Sequence, residues 1–179
     1  MKAFGQRSNS SGEAATATRK IRATGKATEK DVAFLLRNFY GSRVEILRLP
    51  DKYDTGKYED KRPSDFLVIL SAEYAELNSV SNAFYIEAKE TGSDKKSWNI
   101  TSTFEHGQIQ AMIRANKLRI PYFVVFQYLQ TRSIYLVPSN IILEIFTKGD
   151  KSISKETITQ YPWTNGSLYT YFKKENPNG

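Results

Sequence analysis

The chain has 179 residues, with 26 Lys and Arg against 19 Asp and Glu, a formal net charge of +7. Its 40% hydrophobic and 13% aromatic content suits one compact domain and excludes a wholly disordered chain, while no apolar run approaches the roughly 18 residues that span a bilayer. With no Cys and only His106, the composition excludes disulfides, thiolate zinc sites, Cys nucleophiles and multi-histidine metal sites, so any metal is held mainly by oxygen, which favours Mg²⁺, Mn²⁺ or Ca²⁺.

The charge is unevenly spread. Residues 1–26 carry Lys2, Arg7, Arg19, Lys20, Arg22 and Lys26 against Glu13 alone, and so hold +5 of the excess. This segment is rich in Ser, Thr, Ala and Gly and has no hydrophobic period, which predicts a flexible arm rather than a packed element. Its first residues run into a polar stretch, so no secretory signal is expected. A basic arm can follow nucleic-acid phosphates, because each neutralised phosphate releases counterions. A solubilising tail has the same composition.

The first periodic segment is Ala27–Tyr40. Val32, Leu35, Leu36 and Phe39 fall at i, i+3, i+4 and i+7, one face of a helix. Thr28 followed by Asp31 resembles a capping box at its start. Glu29 precedes Val32 by three and shares the apolar face. It is either a core-side carboxylate that needs a partner or a charge complementing the helix N-terminus. Arg43–Leu49 alternates as a strand. A polar turn region from Pro50 to Pro63 carries Lys52, Lys57, Lys61 and Arg62.

Asp65–Leu70 is a short apolar run and reads as a buried strand; Ser71–Asn82 is a connection without a clear pattern. Ala83–Lys89 is the third strand, and Thr91–Thr103 is a polar loop holding Lys95, Lys96 and Trp98. Phe104–Leu118 is a helix whose Phe104, Gln108, Ala111, Met112 and Ala115 share a face. Pro121–Tyr128 and Arg132–Val137 are two more strands, the first nearly all apolar and therefore central. Pro138 opens a third helix through Phe146, and Ser154–Thr157 starts a short fourth. Residues 1–26 are thus an arm, 27–172 one domain and 173–179 a frayed tail.

The chemistry concentrates in Asp65, Glu87 and Lys89. Side chains at i and i+2 of a strand share a face, so Glu87 and Lys89 point together. Antiparallel pairing of the two strands would bring Asp65 beside Glu87. Two carboxylates at that distance repel unless one is protonated or a cation bridges them. A hard divalent metal solves this, with the Ala88 carbonyl as a further oxygen ligand. Such a site suits phosphodiester hydrolysis, with Lys89 orienting water or neutralising charge that grows on phosphorus. A solvated strand end with a surface Lys–Glu pair gives the same spacing. Glu29 and Gln108 add a carboxylate and an amide that converge on the sheet edge if their helices flank it. His106 reads as a polar group at a helix entry, with a general-base role as its alternative.

Pro63-Ser64-Asp65 with Glu87-Ala88-Lys89 resembles the signature of the PD-(D/E)xK nucleases. Within that superfamily, Tyr85-Ile86-Glu87-Ala88-Lys89-Glu90-Thr91 and Phe104-Glu105-His106-Gly107-Gln108-Ile109 are similar to motifs of the RecU-type Holliday-junction resolvases, and more distantly of the archaeal resolvases. Gly25–Lys30 resembles the helix with the family's N-terminal acid, Pro121–Val137 its following strand pair, and Lys151-Ser152-Ile153 a short C-terminal motif. The resemblance covers residues 25–172, and is weak between the motifs. It implies a restriction-endonuclease-like α/β core, a central mixed five-stranded sheet flanked by helices.

By the same resemblance the chain is a homodimeric, Mg²⁺-dependent endodeoxyribonuclease, with Mn²⁺ able to substitute, that nicks opposed strands of a four-way junction in bacterial or phage cytoplasm. Asp65 and Glu87 carry over as metal ligands, Glu29 as the helix acid at the metal, Lys89 as the catalytic lysine and Gln108 as the site glutamine. The family's His falls on Gly107, one place after His106. Pro50–Pro63 is shorter than the family's junction-inserting stalk, and Ser71–Asn82 longer than its hairpin. DNA contacts are expected from Arg19, Lys20, Arg22, Lys26, Lys57, Lys61, Arg62, Lys95 and Lys96. The alternatives are a restriction-type or phage DNA-processing nuclease and a DNA-binding module of the same fold without activity.

Overall fold

The computed structural model describes residues 11–50, 63–78 and 80–175. Helix α1 (Ser11–Tyr40) leads through a 3-10 turn (Gly41–Arg43) into strand β1 (Val44–Arg48). Then come β2 (Phe66–Leu70), α2 (Ala72–Leu77), β3 (Ala83–Thr91), β4 (Ser97–Asn99), α3 (Ile100–Thr103) and α4 (His106–Lys117). The chain continues through β5 (Tyr122–Tyr128), β6 (Ser133–Pro138), α5 (Ser139–Thr147), β7 (Ser152–Ser154), α6 (Lys155–Thr159) and α7 (Ser167–Glu175). Among the described residues no helix is long and apolar enough to cross a membrane.

Five strands form one sheet in the order β1-β2-β3-β5-β6. Among the described residues only β3 and β5 run parallel, so the sheet is mixed. Helices cover both faces, as the sequence predicts. On one face α1 and α7 pack Val32, Leu36, Leu168 and Phe172 onto Phe66, Val68, Ile86 and Val125. On the other, α4 and α5 pack Met112, Ala115 and Ile142 onto Val124, Phe126 and Tyr128. All seven residues of β5 are buried, which follows from an interior strand with helices on both sides. Truncating such a residue, as in Phe126→Ala, costs about 3–5 kcal/mol.

Four sequence expectations need correcting. The first helix begins at Ser11, not Ala27, so residues 11–26 of the basic segment are helical backbone. Ala14, Ala15, Ala17 and Ala23 are strong helix formers, and a helix anchored at one end propagates cheaply. Thr28 is therefore mid-helix and caps nothing. The supposed polar loop 91–103 contains β4 and α3, and its Trp98 is core. The indole Nε1 donates to the Tyr128 hydroxyl at 2.9 Å, and β4 pairs with β7. Finally, α7 runs to Glu175, so residues 173–175 of the expected frayed tail are helical, while the connection 71–82, which carries no clear pattern, holds α2.

Candidate active site at the open edge of β3

Strand β3 is nine residues long and β2 only five. Their register ends at Phe66 opposite Ile86, and Asp65 is the next residue, facing Glu87. Beyond that point β3 has no strand neighbour on the β2 side among the described residues. Leu70 N donates to Asn82 O at 2.8 Å, so even-numbered residues of β3 turn their backbone polar groups toward β2. Tyr85 N donates to Pro121 O at 2.9 Å, so odd-numbered ones turn toward β5. By this alternation the polar groups of Ala88 and Glu90 face the open edge. Asp65 substitutes for the missing strand there, because its Oδ2 accepts the Ala88 N–H at 2.7 Å. The Ala88 carbonyl points off the same edge.

The two acids are almost fully buried, Asp65 to 3% and Glu87 to 1% exposure. Lys89, two residues after Glu87 on the same strand face, places Nζ 2.8 Å from Glu87 Oε1. Gln108 Nε2 donates to that same oxygen at 2.5 Å. The Gln108 Oε1 accepts from Lys89 Nζ at 3.2 Å and from the Glu105 N–H at 3.0 Å. That last bond closes the N-terminus of α4, with Glu105 as N-cap and Gln108 as the third helical residue. The amide is thus oriented by its own helix end and presents its NH₂ to Glu87.

Glu29 arrives from α1 on the other side of the edge. Its Oε2 accepts from Arg48 Nε of β1 at 2.8 Å. Of the two readings of this carboxylate, the structure supports a cavity-side position with a cationic partner. A cavity of about 500 Å³ opens at this edge, and Glu29, Asp65, Glu87, Lys89 and Gln108 all line it. Thr28, Glu90 and the Thr101–Glu105 segment complete its wall. Sequence reasoning missed these last residues. Glu90 is the most legible of them, since it directly follows Lys89.

Asp65, Glu87 and the Ala88 carbonyl form a hard oxygen donor set, which fits a divalent cation of the Mg²⁺ or Mn²⁺ kind and no soft metal. Among the described residues no three Asp, Glu, His or Cys side chains are gathered as one metal cluster. Protein carboxylates here number two at the centre, with Glu29 held toward Arg48.

His106 is exposed as the first residue of α4 and takes no part in the cavity wall. Lys26 and Lys96 are exposed, and Lys95 lies half-buried with Nζ 4.6 Å from the Trp98 ring centroid. Lys57, Lys61 and Arg62 lie outside the described residues, as do residues 1–10 and the side chains of Arg19, Lys20 and Arg22.

No family model and no curated protein matches the chain. Among solved structures it is similar to Hjc of Archaeoglobus fulgidus, a Holliday junction resolvase from an archaeal hyperthermophile. The two share 11% identity and a TM-score of 0.48, over 78% of this chain and 96% of that chain.

Proposed function

We propose that the chain is a metal-dependent DNA endonuclease of the resolvase kind, nicking opposed strands of four-way junctions as a homodimer. One observation carries the reading. The residues that resemble the nuclease motifs, Glu29, Asp65, Glu87, Lys89 and Gln108, come from four separate elements or their flanks and line a single cavity.

Asp65, Glu87 and the Ala88 carbonyl would hold the cation, Mg²⁺ or Mn²⁺. When bound, such an ion polarises a phosphoryl oxygen and lowers the pKa of coordinated water. Lys89 does the rest of the electrostatic work. Its ammonium is 2.8 Å from Glu87 and reaches the cavity, where it orients the attacking water and offsets charge developing on phosphorus. Gln108 donates to Glu87 Oε1 and so fixes the orientation of that carboxylate. Glu29 supplies a third carboxylate, on the α1 side, for water or for the cation. Two such sites in a two-fold dimer match the two-fold symmetry of a junction cut on opposed strands.

The test is cleavage of a labelled four-way junction by purified protein with Mg²⁺ or Mn²⁺, alongside linear duplex and flap DNA. Paired nicks in the junction with linear DNA spared are expected. Absence of cleavage in every metal, or cleavage that persists in Lys89→Ala, overturns the reading. Equal cutting of linear duplex reassigns it to a DNA-processing nuclease without junction preference.

A further inference from the structure

Every fourth residue of α1 forms one buried stripe: Thr28, Val32, Leu36 and Tyr40 are each at most 1% exposed. Three members pack on the sheet through apolar or aromatic surface. The first is polar, and it stands where the stripe reaches the cavity. The sequence pattern asks only for an apolar residue of valine's shape at this position.

The Thr28 hydroxyl has a specific use. Its Oγ1 donates to Glu90 Oε2, on the face of β3 opposite Glu87 and Lys89. Three residues on, Asp31 Oδ2 accepts from Gln127 Nε2 at 3.0 Å. Glu90 and Gln127 are register partners on β3 and β5. Residues three apart on a helix are separated by about 4.5 Å along its axis, close to the roughly 4.8 Å between paired strands. The helix is thus fastened to the sheet at two matching points. Apolar packing alone tolerates small slides of a helix along a sheet; a pair of directional bonds does not.

Glu29 lies between the two fastening residues. Rotating or sliding α1 moves its carboxylate relative to Asp65 and Glu87 across the cavity. We infer that Thr28 is a positioning residue for Glu29, acting through its hydroxyl bond to Glu90, with Asp31 and Gln127 as the second anchor. The inference rests on the nuclease reading above for its kinetic consequence, and on geometry alone for its structural one.

Thr28→Val is the informative variant, because it keeps the shape and completes the apolar stripe. The expected result is a folded protein whose kcat for junction cleavage falls about 10- to 100-fold, with KM for DNA changed less than about twofold. Thr28→Ser restores most of the rate. In a Glu29→Gln background, Thr28→Val has no further effect, which a general loss of structure would not reproduce. Hydrogen exchange, read on the same proteins, shows faster exchange at the amides around Glu29 in Thr28→Val. A wild type that cuts, with Thr28→Val equally active or fully additive to Glu29→Gln, overturns the inference and leaves the nuclease reading intact. A wild type that cuts nothing overturns the nuclease reading; unchanged exchange in Thr28→Val then overturns the positioning as well.

Discussion

Lys89 Nζ lies 2.8 Å from Glu87 Oε1, an ion pair between the i and i+2 residues of one strand face, with the acid 1% exposed. Removing one partner of such a pair leaves the other charge in a poor solvent. Lys89→Met is expected to abolish cleavage and to cost about 3 kcal/mol of stability. Glu87→Gln/Lys89→Met removes both charges and is expected to recover most of that stability while staying inactive. Urea unfolding of the three proteins checks this. A double variant no more stable than Lys89→Met would mean that the pair is not the source of the loss.

Cation binding can be read without any substrate. A ligand that binds only the folded state adds about 2.7 kcal/mol at a hundred times its dissociation constant. For a chain of this size that is a rise of about 5–10 °C in melting temperature. Mn²⁺ or Mg²⁺ is expected to give that rise in the wild type and none in Asp65→Asn, whose amide is a poorer ligand. Equal shifts in both proteins would place the cation elsewhere.

Gln108 joins the fold to the site, since its two ends serve different masters. Its oxygen accepts the Glu105 N–H at the start of α4, and its nitrogen donates to Glu87. Gln108→Ala is therefore expected to cost about 1 kcal/mol through the lost cap and to lower cleavage about 10- to 100-fold. Glu105→Pro with Gln108 retained weighs the two effects differently: it removes the capped N–H and the Glu105 carboxylate of the capping box, and leaves an amide next to Glu87. Kinetics and thermal unfolding on both variants test the division. A cleavage loss equal in both would show that only the helix end matters.

The fold and the central site were legible to very different depths. Alternation marks β1, while β2 and β5 show as short apolar runs, because β5 is buried on both faces by helices. Strand geometry predicts that Glu87 and Lys89 share a face and that antiparallel pairing sets Asp65 against Glu87, and the register brings the two acids to facing positions. Glu29 and Gln108 needed helix placement as well. Thr28 has the pattern of a cap, since Thr-x-x-Asp is a helix-start signal whether or not the helix starts there. Its hydroxyl donates to Glu90, 62 residues away, and no local pattern carries that contact. Strands β4 and β7 are three residues each, too short for any period to register, and they exist because Trp98 and Ile153 are buried in a core made by other elements.

Tyr40 closes the buried stripe of α1, and its hydroxyl has no hydrogen-bond partner among the described residues. Burial, reinforced by the neighbouring Tyr74, pushes its pKa far above the ordinary tyrosine value of 10.0. An ionising group whose folded pKa is raised supports the fold fully below its unfolded pKa and loses that support as pH rises above it. The wild type is therefore expected to lose stability above about pH 10, by up to about 1.4 kcal/mol per pH unit for each such tyrosine. Burial raises Tyr128 in the same direction, so it contributes too. Tyr40→Phe removes an unsatisfied buried hydroxyl and is expected to gain about 1–3 kcal/mol at neutral pH. It should also flatten, without abolishing, the alkaline slope, since Tyr128 remains. Urea unfolding at pH 7 and pH 11 reads both effects. A variant less stable than the wild type at pH 7 would show that the hydroxyl has a partner in solution, and an unchanged slope would assign the alkaline loss to other groups.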